Sequence, residues 1–222
     1  MNRRPMIIAS IAIVGAMLLL SAWAWVVLPA DALVPVHWGT EGGPDGWADK
    51  TVGLLLPPAI AAAVATLFAL IPRFEPRRAN LERSGTSYRA IWLGVLVLLA
   101  VVHVVAVSVA LGANLGVSRL VIGGVGILFV VIGNYLPKVR PNYLMGIRTP
   151  WTLSSDLAWT RTHRLGGRLF VAEGVALALL GLAGVSGTIL AVWLTGAIAV
   201  LLVVLFGYSY QVWKNDPDRR SA

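Results

Sequence analysis

"IWLGVLVLLAVVHVVAVSVAL", residues 91–111, holds one ionisable side chain, His103, in a run long enough to cross a bilayer. A spanning helix needs about 20 mostly apolar residues, and in lipid only a closed helix satisfies its own backbone. Reading outward with the same window finds further runs at 6–28, 52–71, 120–136, 169–185 and 189–208. Those at 120–136 and 169–185 are short for a span, but neither contains a proline. The expected fold is all-α, a polytopic membrane protein with six transmembrane helices.

Composition points the same way. The chain is 58% hydrophobic and 13% charged, with a mean hydropathy of +0.79. Soluble domains carry about 25% charged residues, so this chain lacks the polar surface to cover itself in water. Cysteine is absent, which removes disulfides and thiolate metal sites. The net charge of +8 marks topology rather than nucleic-acid binding, because no basic stretch forms a separate soluble domain. Sixteen of the 18 Lys and Arg residues fall on one face; Lys50 and Arg119 remain on the other. Both termini are therefore expected in the cytoplasm. The first run could be read as a signal peptide, with Arg3 and Arg4 before it and Ala22-Trp23-Ala24 near its end. It continues through Val26, Val27 and Leu28, which favours an uncleaved helix.

These assignments leave one sizeable outer loop, residues 29–51, reading "PADALVPVHWGTEGGPDGWADKT". His37, Glu41, Asp45 and Asp49 are possible cation donors, but their spacing fits no metal site. No metal and no cofactor is expected. Trp38 and Trp47 suit a membrane interface or a bound peptide, and four acids against Lys50 would attract a cationic ligand. Within the spans, His103 and Glu173 are the ionisable side chains; Glu173 follows Arg168 by little more than a turn, which puts it near the cytoplasmic interface. The many glycines of the fourth and fifth runs are read as helix-packing positions.

The inner loop, residues 137–168, is basic and rich in Trp and Thr. Pro137 and Pro141 favour extended backbone, and Gly146 permits a turn. From Ser154, Ser155 and Asp156 a helix is expected, running to a break at Gly166-Gly167. It would lie at the membrane interface, with Trp151, Leu157 and Trp159 dipping into lipid and Arg148, Arg161, Arg164 and Arg168 at headgroups. Asp156, Thr160 and His163 would share one face, as would Trp159 and His163. Asp156 with His163 resembles part of an acid–base site, yet no catalytic motif accompanies them, so no enzyme is expected.

"NYLPKVRPNYLMGIRTPWTLSSDLAWTRTHRLGG", residues 134–167, resembles the signature of the SdpI immunity-protein family. The matching elements are Asn134 with Pro137 and Lys138; Asn142 through Leu153, including Gly146, Arg148, Thr149, Pro150, Trp151 and Thr152; and Trp159, Thr162, His163, Arg164 and Gly167. "PVHWGTEGGPDGWADK" is similar to the DUF1648 region that often precedes that core, although Gly39 stands where Asn is favoured. The resemblance implies a multi-pass protein of the bacterial plasma membrane, with residues 1–222 as one membrane domain and 120–185 as its SdpI-like core. It also implies resistance to a secreted membrane-active peptide toxin, and signal transduction in which a cytoplasmic transcriptional repressor is held at the membrane. On this reading His37, Trp38 and Asp45 contribute to outer recognition, and the signature residues shape the inner loop. Arg148 would act there as a hydrogen-bond fork. The competing reading is a small transporter or channel using His103 and Glu173.

Overall fold

A computed structural model describes residues 2–39 and 43–219; Glu41, Gly42 and Arg220 lie outside the described residues. Helices α1 (Arg4–Val27), α2 (Lys50–Leu70), α4 (Gly85–Ala110), α5 (Val117–Tyr135), α7 (Asp156–Leu182) and α8 (Gly187–Lys214) are the long apolar elements, and six helices are long and apolar enough to span a membrane. Short helices α3 (Arg78–Arg83) and α6 (Pro150–Ser154) lie in the basic loops. Val26, Leu19 and Leu182 are 83%, 74% and 77% exposed. Side chains of this kind left outside the fold mark a surface that faces lipid rather than water.

Helices α1, α2 and α4 share one core around Met17, Ala61, Tyr88, Trp92 and Leu96. Phe68 stacks on Trp92, and the Tyr88 hydroxyl donates to the Phe68 carbonyl. In α2, Pro58 has no N–H for the carbonyl of Leu54, one turn back, and in lipid such a freed group needs another donor. The Ser21 hydroxyl of α1 supplies it at 2.7 Å, and His103 Nε2 of α4 sits 3.0 Å from the same hydroxyl. His103 thus joins three helices around a proline-made defect.

Helices α5, α7 and α8 form the second group, and α5 packs on α4 to join the two. A Cβ added to Gly126 would lie 2.6 Å from the Gly174 carbonyl oxygen, and one added to Gly133 would lie 2.6 Å from that of Gly167. The glycines therefore let the antiparallel backbones of α5 and α7 touch. This corrects the expected break at Gly166-Gly167: both residues sit inside one continuous helix that starts at Asp156, because the contact with α5 needs them there.

The segment between α1 and α2 is not a plain loop. Strands β1 (Leu33–Trp38) and β2 (Pro44–Asp49) pair antiparallel, with Val34 opposite Ala48 and Pro35 opposite Trp47. The β-branched and aromatic run "LVPVHW" favours a strand. Val34 is fully buried against Gly53 of α2, and Asp49 caps α2 by accepting from the N–H groups of Thr51 and Val52. The Lys50 ammonium donates to the Leu28 carbonyl at the end of α1.

Candidate functional site

At the basic end of the bundle, residues 136–163 fold back on themselves around Asn142 and His163, both fully buried. The Asn142 amide oxygen accepts from the N–H groups of Leu144 and Met145, and its nitrogen donates to the Arg140 carbonyl. One side chain so fixes the turn. His163 Nδ1 donates to the Trp159 carbonyl at 2.8 Å, and its Nε2 accepts from the Ile147 N–H at 3.0 Å. Those partners define a neutral imidazole, with the proton on Nδ1. Its ring stacks on Trp159 at 4.0 Å, and Trp159 Nε1 donates to the Val139 carbonyl.

Gly146 lies at φ +111°, and a Cβ there would overlap His163 Nε2. Only glycine combines that backbone with that neighbour. Arg148 Nη1 donates to the Tyr143 carbonyl at 2.6 Å. Thr149 and Thr152 form a reciprocal cap at the start of α6, where Pro150 takes the first position. Thr152 also donates to the Ile147 carbonyl, and Thr149 donates to Ser209 of α8. Trp151 packs edge-on against Phe206 of α8, at 4.5 Å. Pro137 sits in a tight helical turn at Leu136–Lys138, rather than in extended backbone, and its ring packs on Gly167. Thr162 is fully buried, whereas Asn134 stays at the surface.

The expected interfacial helix is corrected accordingly. Trp159 is 1% exposed inside the fold, because its indole closes the loop, and Trp151 is held by α8. Arg148, Arg161, Arg164 and Arg168 do face outward. Asp156 and Thr160 are exposed while His163 is buried with both ring nitrogens committed, so the acid–base pair does not form.

At the opposite end, His37 Nδ1 and Asp45 Oδ1 meet at 2.5 Å across the hairpin. Below them a crevice of about 360 Å³ runs between β1 and the hairpin-side ends of α5, α7 and α8. Trp38 lines it, and its buried indole N–H has no hydrogen-bond partner among the described residues.

Two family models match the chain: the SdpI/YfhL protein family over residues 138–210, and DUF1648, a domain of unknown function, over residues 12–62. Along the chain, the region similar to SdpI/YfhL follows the region similar to DUF1648. It is also similar to "Immunity protein SdpI" of Bacillus subtilis (strain 168), with 24% identity over 205 residues, covering 91% of this chain and 94% of the relative. No solved structure matches it. With its six apolar helices, the chain is a multi-pass protein of the bacterial plasma membrane.

The SdpI/YfhL segment is held by residues that lie in neither match. Glu75, 5% exposed, accepts from the backbone N–H groups of Arg77 and Tyr143. Asn80 donates to the Pro141 carbonyl, the Ser84 hydroxyl accepts from the Arg140 N–H, and Arg77 reaches the Tyr143 hydroxyl and the Leu153 carbonyl. The sequence signal was Glu75 itself, an acid amid the arginines between α2 and α4.

Glu173 lies within α7, five residues past Arg168. It precedes Gly174, which meets Gly126 in the middle of α5, and it lies about 14 Å along the helix from Leu182, at 1.5 Å per residue. Trp193 Nε1 of α8 donates to its carboxylate at 3.0 Å. His103 belongs to the α1–α2–α4 group and Glu173 to the α7–α8 pair, so the structure does not bring the two together.

Proposed function

We propose that this chain is an immunity-type protein of the bacterial plasma membrane, protecting its cell from a secreted, membrane-active peptide toxin by binding rather than by turnover. The observation that carries the reading is the similarity to an immunity protein over 91% of the chain, which spans both family segments rather than one. The geometry supports a binding role. The signature residues Asn142, Gly146, Thr149, Thr152, Trp159 and His163 spend their polar groups on each other and on backbone. A side chain with both nitrogens committed has no free lone pair to offer a substrate.

In this reading the chain is a single membrane domain with both termini in the cytoplasm, as its Lys and Arg distribution favours. The hairpin residues His37, Trp38 and Asp45 then meet the toxin outside. Inside, the basic loop is a rigid platform whose outward-facing Arg161 and Arg164 suit an acidic surface of a cytoplasmic transcriptional repressor. Arg148 keeps that platform in shape through the Tyr143 carbonyl.

The test is survival of a toxin-sensitive bacterium that makes this protein and is challenged with the SdpI-type peptide toxin. Survival above the empty-vector strain supports the reading, and equal killing of both strains overturns it. The signalling part is separable: a repressor should move to the membrane fraction only in cells making the intact chain, and repressor that stays soluble during toxin exposure would remove that part.

A further inference from the structure

The crevice under the hairpin is lined by the two family segments together. Val36, His37 and Trp38 come from the DUF1648 segment, whereas Leu177, Leu190 and Ala191 come from the SdpI/YfhL segment. Val121 and Val125 of α5 complete the walls. Its volume, about 360 Å³, lies within the range of sites that take small ligands or a few side chains.

The walls are apolar, but the mouth is not. Trp38 and the His37 imidazole line the crevice at its hairpin side. Asp45 stands at the mouth with its side chain 52% exposed, beside His37 at 72%. The cations of this end are directed elsewhere. The Lys50 ammonium is turned to the Leu28 carbonyl, and the Arg119 guanidinium lies against Gly184 in the α7–α8 turn.

We propose that this composite crevice is the peptide-binding site, taking apolar side chains of a cationic peptide between β1 and α5, α7 and α8. A lysine or arginine of the peptide lies at Asp45. The inference deepens the immunity reading and rests on it for the biological role of the peptide. It also gives the two segments a joint task, since neither one encloses the crevice without the other.

The natural absence of cysteine allows the test. A Val121→Cys variant in phosphatidylcholine nanodiscs carries a bimane. The probe is a short leucine-rich peptide with lysines at one end and a nitroxide quencher at the other. Saturable quenching is expected. Ala191→Trp, which fills the crevice from α8, should weaken it more than about tenfold, and Asp45→Asn or a peptide with glutamine for lysine should weaken it about threefold to tenfold. Should Ala191→Trp fail to reach the membrane, Val36→Trp fills the crevice from the opposite wall. Quenching that never saturates, or that is indifferent to both tryptophan variants, would overturn the proposal and leave the crevice to lipid chains. Equal binding of the glutamine peptide would overturn the cationic preference. Peptide binding lost with Ala191→Trp in a protein that gives no protection would sink immunity and keep the crevice; protection untouched by Ala191→Trp at normal membrane abundance would do the reverse.

Discussion

Asn142, Thr152, Thr162 and His163 at the basic end are each 1% exposed or less, whereas at the hairpin end His37 and Asp45 meet with side chains 72% and 52% exposed. The basic end has many buried polar groups and closes most of them against each other and against Glu75, Asn80 and Ser84, the Thr162 hydroxyl being without a partner among the described residues. The hairpin end keeps an exposed acid and an exposed imidazole beside an open crevice. A polar network whose members are mostly paired rigidifies a fold, while exposed charged groups are those that can meet a partner. In the proposed reading, the dense sequence signature is a scaffold and the hairpin is the recognition surface.

That contrast predicts where substitutions cost stability and where they cost function. The largest expected effect is Gly126→Val, which drives a side chain into the backbone of α7. It should destabilise by about 3 kcal/mol and remove most of the protein from the membrane, read by quantitative blotting and thermal aggregation in detergent. His163→Ala should follow at about 2–3 kcal/mol, since it leaves the Ile147 N–H unpaired and empties the space beside Trp159; a lower Tm in detergent is the readout. Glu75→Gln keeps an acceptor but loses the charge, and should cost about 1 kcal/mol in the same measurement. Asp45→Asn should change stability by no more than about 0.5 kcal/mol, because exposed ion pairs contribute little, while weakening peptide binding. A Tm loss for Asp45→Asn equal to that for His163→Ala would erase the distinction between the two ends.

The sequence carried the helices well, because each span is a long apolar run and lipid leaves a chain no other choice. It carried the glycines too, as packing positions, though not which glycine meets which. The failures share a cause. Gly166-Gly167 reads locally as a break, but the partner backbone of α5 is remote in sequence and decides that the helix continues. Trp159 reads as an interfacial anchor by its chemistry, yet a carbonyl twenty residues earlier takes its N–H and buries it. Glu75 gives only a weak local signal, because the Tyr143 N–H from which its carboxylate accepts lies 68 residues away. Burial of polar groups is a tertiary property, and neither periodicity nor composition records it.

The most direct single measurement is survival under toxin challenge per unit of membrane-inserted protein, for the intact chain, His163→Ala and Ala191→Trp. The account predicts that His163→Ala loses survival only in proportion to its lost abundance, while Ala191→Trp loses survival at full abundance. Full-abundance His163→Ala that no longer protects, beside Ala191→Trp that still does, would contradict it.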